Sequence, residues 1–161
     1  MVLREKLLEK LKLIKSNDAI SLNESYVPVI VTQNDFDKIE SELSVKLTSD
    51  YKWFLSTING LDIDGLVLNG VVVYDFEPDT KRYDVISETA LLRKQLNEQH
   101  VTVDFSNLLS LNSEDSDYLV LYDTHTDKVG VFSSVPNFHQ IENNTGFLEY
   151  VISVLDEYLN E

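Results

Sequence analysis

The sequence contains no cysteine. That excludes disulfides, thiolate metal ligands and cysteine nucleophiles together. It also fits a reducing compartment, and a cytoplasmic location is expected. Glycine and proline are sparse, at five and three residues. The glycines, at positions 60, 65, 70, 130 and 146, are spaced as turn and cap residues. They form neither a phosphate-cradling loop nor a dinucleotide fingerprint, and no Gly-x-Ser-x-Gly elbow is present. Long apolar runs are missing as well. No stretch approaches the ~20 apolar residues of a membrane helix. Lys10, Lys12 and Lys15 break up the amino-terminal segment, so it does not read as a secretion signal.

Basic residues are few. Thirteen Lys and Arg face 28 Asp and Glu, for a formal net charge of −15 at pH 7. The imbalance is uneven along the chain. Residues 1–15 hold five bases against Glu5 and Glu9, whereas residues 95–161 hold Lys128 against twelve acids. A field of this sign repels nucleic acid and anionic membrane and attracts basic surfaces. Taken alone, acidity speaks first of solubility.

What is present is ordinary globular stock: 161 residues, 43% of them hydrophobic, enough for one domain spanning 1–161 with one core. Leu3, Leu7, Leu11 and Ile14 recur at helical spacing and predict a helix over 2–15. Residues 26–31 look extended, with Pro28 arguing for an edge or loop. Thr32 and Asp35 open a helix over 34–44, with Phe36, Ile39 and Leu43 on one face. Thr48 or Ser49 caps a third helix that buries Tyr51, Phe54, Leu55 and Ile58, and Asn59-Gly60 supplies a left-handed stop. Asn69-Gly70, between residues 66–68 and 71–74, predicts a β-hairpin. Residues 84–98 read as a helix with Ile86, Ala90, Leu91 and Leu96 inward and Leu92 at the boundary. A strand at 108–111 and a hairpin of 118–122 with 128–132 follow. Asn143-Asn144-Thr145 then leads into a helix with Phe147, Val151, Val154, Leu155 and Tyr158 on one face.

A search for chemistry returns little. His100, His125 and His139 share no metal-ligand spacing. The acidic runs starting at Asp62, Asp75 and Asp123 each lack the Gly and Glu positions of a calcium-binding loop. Nothing places two carboxylates in an apolar pocket, where their pKa values would separate. Lys81-Arg82-Tyr83 is flanked by Glu77, Asp79 and Asp84 and reads as a neutralised loop, not a nucleic-acid groove.

One arrangement is recognisable. Phe36-x-x-Ile39-Glu40-x-x-Leu43 is followed by Leu47-Thr48-Ser49-Asp50-Tyr51-Lys52-Trp53-Phe54-Leu55, then by Asn59-Gly60. This resembles the SUKH superfamily, which includes the fungal Smi/Knr cell-wall-synthesis regulators and many bacterial immunity proteins. Thr48 stands where that family usually has Pro, and Leu61 where a second Gly is common. The resemblance covers roughly residues 34–159. It implies an α+β fold with a mixed, mainly antiparallel sheet of about five or six strands and about five helices. It implies no catalytic centre and no cofactor or metal.

The function expected from the resemblance is that of an immunity protein, which binds and neutralises a cognate bacterial toxin, a nuclease for example, through an acidic surface. The partner is then a protein with a basic surface, not nucleic acid or membrane. The alternative is a regulatory scaffold for cell-wall-synthesis or signalling proteins. The acids expected at the contact lie in loops: Asp62 and Asp64; Asp75, Glu77 and Asp79; Glu114, Asp115 and Asp117; Asp123 and Asp127. Tyr74, Tyr118 and Tyr122 are candidate aromatic anchors, each equally suited to sheet packing.

Overall fold

The computed structural model describes residues 2–20, 30–63, 66–71, 84–112, 116–135 and 137–160, and for Asn143 the backbone alone. Five helices occur among them: α1 (Leu3–Lys15), α2 (Gln33–Leu43), α3 (Ser49–Ile58), α4 (Val85–Glu98) and α5 (Phe147–Asn160). Six strands form two sheets. β1 (Leu61–Ile63) pairs with β2 (Leu66–Leu68). β3 (Leu108–Ser110), β4 (Tyr118–Asp123), β5 (Lys128–Ser133) and β6 (Gln140–Gly146) lie in sequence order. Every ladder is antiparallel, and a single parallel bridge joins Gly70 to Asp84. The fold is α+β.

The helices form where local signals tell them to. The Asp35 carboxylate accepts from both the N–H and the O–H of Thr32 and so opens α2. Ser44, left-handed at φ 54°, closes it. The Thr48 hydroxyl accepts from Tyr51 N–H at 3.2 Å to start α3, which ends at left-handed Asn59. Asp84 accepts from Ser87 N–H at the start of α4.

The four-stranded sheet is covered on both faces. Val120, Tyr122 and Val129 meet Tyr51 and Phe54 of α3 and Phe147 and Val151 of α5. Four rings interlock there: Tyr51–Tyr122 centroids are 5.1 Å apart, Tyr122–Phe147 4.9 Å and Phe54–Phe147 5.2 Å. Truncating one such ring costs ~3–5 kcal/mol. On the opposite face Leu119 and Leu121 pack with Leu92 and Leu96 of α4, beside a stacked Phe132–Phe138 pair. α1 packs against α5 with Leu7, Leu11 and Ile14 buried, while Leu3 is 39% exposed. Coverage from two sides explains why α5 buries Leu148 and Ile152 as well as Phe147, Val151, Val154 and Leu155.

Three expectations are corrected. Leu66–Leu68 pairs with Leu61–Ile63, and Val71, the one described residue of 71–74, belongs to no strand. Asn69-Gly70 is therefore not the turn of a hairpin: Asn69 N–H donates to Leu111 O, and both backbone groups of Val71 bond to the Asn59 side chain. In α4 the buried face is Val85, Thr89, Leu92 and Leu96, whereas Ala90 is exposed. Hydropathy favours Ala90, but Thr89 turns inward because its hydroxyl accepts the Ser110 N–H of β3 at 2.9 Å. The Asn143-Asn144-Thr145 run lies within β6 and does not cap α5; there Glu149 accepts from Gly146 N–H. The extended reading of 26–31 falls mostly outside the described residues, and the 81–83 loop falls wholly outside them.

Candidate interaction surface

The residues that carry the recognised motif build the frame. Glu40 on α2 accepts from Leu47 N–H at 2.9 Å and pairs with Lys52 of α3 at 3.0 Å, which fixes the corner between the helices. Burial pushes its carboxyl up, but the Leu47 N–H and the cations Lys52 and Lys46 outweigh that and hold it below its ordinary value. Asn59, 3% exposed, donates to Val71 O and accepts from Val71 N–H at 2.9 and 2.7 Å. Gly60 follows at φ 91°, where an added Cβ would lie 2.7 Å from Leu68 O. Leu61, in the place of a second glycine, is buried and opens β1 opposite Leu68.

The expected contact acids within the described residues are spread over two sheets. Asp123 and Asp127 flank the turn between β4 and β5, and Asp117 lies exposed before the opposite end of β4. Asp62 belongs to the other sheet, partly exposed in β1. Asp64, Tyr74, Asp75, Glu77, Asp79, Glu114 and Asp115 lie outside the described residues. Asp123 stands opposite Lys128, and its carboxylate accepts from His125 N–H at 2.8 Å and more weakly from Thr126 N–H. Asp127, at φ 56°, accepts from the Tyr122 hydroxyl at 2.7 Å and from Thr48 at 3.3 Å. That network ties the turn to the start of α3. An open cleft of about 330 Å³ adjoins it, lined by Lys46, Leu47, Thr48, Asn107, Thr124 and His125. Among the described residues no group of His, Asp or Glu is placed to hold a metal ion.

The tyrosines separate cleanly. Tyr122 is fully buried and packs the core, and burial raises its hydroxyl pKa well above the usual range. It is not a surface anchor. Tyr118, 55% exposed, stands on the α5 side of the sheet, opposite Ser133. Next to it along that face come half-buried Val131 and its β6 partner Glu142. Tyr150 of α5 lies beside them. Burial pushes its hydroxyl pKa up to about 12, and the nearby Glu142 and Glu157 carboxylates add to the rise. Ile141, 53% exposed, sits where the β5–β6 ladder shifts register. Sequence reasoning missed this corner because it read Asn143-Asn144-Thr145 as the approach to a helix and assigned no strand before it; the signal on offer was the apolar Ile141 amid polar residues.

Four cations are partly buried and engaged within the fold, while Lys6, Lys12, Lys46, Lys94 and Lys128 are exposed. Arg4 bonds Asp50 at 2.6 and 2.9 Å and lies over the Trp53 ring. Lys10 pairs with Asp156 across the α1–α5 contact. Lys52 holds Glu40, and Arg93 donates to the carbonyls of Leu43 and Ser106. Among the described residues, Asp117, Asp123, Asp127, Glu142 and Glu157 have no Lys or Arg within ion-pair distance.

None of the curated proteins matches the chain. No helix among the described residues is long and apolar enough to cross a membrane. The model of the SMI1 / KNR4 family (SUKH-1) matches residues 30–161, from the approach to α2 through the end of the chain, and the protein belongs to that family.

Proposed function

We propose that this chain is a bacterial immunity protein, which binds a cognate toxin in the cytoplasm and neutralises it through an acidic surface. Family membership supports binding to a protein partner. The observation that carries the finer reading is the disposition of charge. On a chain of net charge −15, Arg4, Lys10, Lys52 and Arg93 are held by groups of the fold itself, while Asp117, Asp123, Asp127, Glu142 and Glu157 have no Lys or Arg within ion-pair distance among the described residues. A partner with a basic, substrate-binding surface fits that field, and opposite charge speeds encounter. A nuclease is the toxin class whose active surface has this sign, because its own substrate is a polyanion. No catalytic role is proposed.

The test is co-expression with the C-terminal domain encoded immediately upstream. The chain should restore growth of cells producing that domain and co-purify with it. An upstream product that is harmless, or that neither binds nor is neutralised, sinks the proposal.

A further inference from the structure

The exposed corner formed by β4, β5, β6 and α5 combines features that elsewhere in the described residues occur apart. Tyr118 of β4 and Ile141 of β6, with β5 between them, are each more than half exposed, an unusual state for large apolar groups. Val131 of β5 and Tyr150 of α5 are half-buried. Cross-strand pairing places Tyr118, Val131 and Glu142 on one face: Tyr118 stands opposite Ser133, Val120 opposite Val131, and Val131 opposite Glu142. On that face Tyr122 and Val129 are buried in the core shared with α5, whereas Tyr118 at the other end of β4 is 55% exposed. Glu142 and Glu157, both exposed, flank the Tyr150 hydroxyl from β6 and from α5. Neither has a cationic partner among the described residues.

We propose that this corner is the docking surface for an arginine-bearing loop of the partner protein. The inference rests on the immunity reading and names the face that reading uses. A guanidinium is planar, stacks on a tyrosine ring and bonds carboxylates through two N–H groups at once. Tyr118 and Tyr150 supply the rings, Glu142 and Glu157 the carboxylates, and half-buried Val131 the apolar contact between Tyr118 and Glu142. A second copy of this chain does not suit the corner, because two bodies of net charge −15 repel one another. The turn at 124–127 suits a docking role less well, since Asp123 and Asp127 already accept hydrogen bonds from their own fold.

Hexa-arginine is the probe, titrated into the isotopically labelled full chain at physiological salt and followed by amide chemical shifts. The largest changes should fall at residues 118, 131, 141–142 and 150. Affinity should drop by about tenfold or more in Glu142→Lys combined with Glu157→Lys, and in Tyr118→Ala, as expected for loss of a charged contact or an aromatic anchor. All three positions are exposed, so these variants should keep the wild-type dispersion of resonances. Changes centred on 124–127 or on α2, or hexalysine acting as strongly at the same amides, would overturn the assignment. In cells the two proposals separate. If wild type protects and the Glu142→Lys, Glu157→Lys variant protects equally, this surface is wrong and the immunity reading stands. If wild type fails to protect, the immunity reading falls, and the peptide map still judges the surface.

Discussion

Asn59 closes α3 in the left-handed region and then uses its buried amide as a strand edge would, giving one bond to Val71 and taking another. Two demands meet in one residue: a backbone conformation that Gly or Asn tolerates, and a side chain with one donor and one acceptor. Asn59→Gly separates them, because it keeps the conformation and loses both bonds. Leaving a buried N–H and C=O unpaired costs ~1–3 kcal/mol each. Urea unfolding should therefore show Asn59→Gly destabilised by ~2–4 kcal/mol, and a variant as stable as wild type would mean that conformation alone selects the residue. Glu40 offers a pH test. Its carboxyl is held below the ordinary value of 4.5, so the bonds to Leu47 and Lys52 stabilise the fold above that pH. The contribution is lost as pH falls through the lower folded value. Glu40→Gln should be less stable than wild type at pH 7, with the gap closing on acidification below about pH 4. A gap that does not depend on pH would show that packing, not charge, is what the substitution disturbs.

Elements differ in how much of them is local, and that decides what the sequence discloses. α3 carries its own start at Thr48 and its own stop at Asn59, so its bounds can be read directly. β1 has three residues and β6 is polar over most of its length, and neither alternates enough to announce a strand; pairing with β2 and β5 makes them strands. Thr89 likewise turns inward for a hydrogen bond that exists only once β3 lies beside α4. α1 is a sharper case. It lies before the residues matched to the family, yet it buries Leu7, Leu11 and Ile14 against the molecule and reaches Asp50 and Asp156 with Arg4 and Lys10. The apolar contact, not the ion pairs, should dominate, because half-exposed pairs contribute ~0–1 kcal/mol. Leu11→Ala should lower unfolding stability by ~2–5 kcal/mol, while Leu13→Ala, at a position 55% exposed, should change it by less than ~0.5 kcal/mol. Equal, small effects in a denaturant titration would mean that α1 is an ornament on the core and not part of it.

At the scale of the whole molecule the candidate site was only half legible. The sequence names acids in loops, but which of them converge, and which already serve the fold, depends on tertiary placement. Asp127 and Tyr122 satisfy each other, whereas Glu142, in a stretch to which the sequence assigned no element, lies near Tyr150 with no cation within ion-pair distance among the described residues. What the sequence does convey is total charge, and charge acts in two opposite ways. In the free chain, −15 repels itself and opposes the compact state. Salt screens that repulsion over a Debye length of ~10 Å at 0.1 M. It also weakens pairs such as Arg4–Asp50, but those contribute less than the summed repulsion. Raising sodium chloride from about 20 to 200 mM should therefore raise the melting temperature of the free chain by a few degrees. The same change should slow association with a basic partner by roughly tenfold or more, because steering is what salt removes. Dissociation should change far less, since close contacts inside the interface are poorly screened. Calorimetry on the free chain and stopped-flow mixing with the partner measure the two responses separately. If both move in the same direction, the acidity is not acting as a long-range field, and the carboxylates matter only through the few pairs they form on contact.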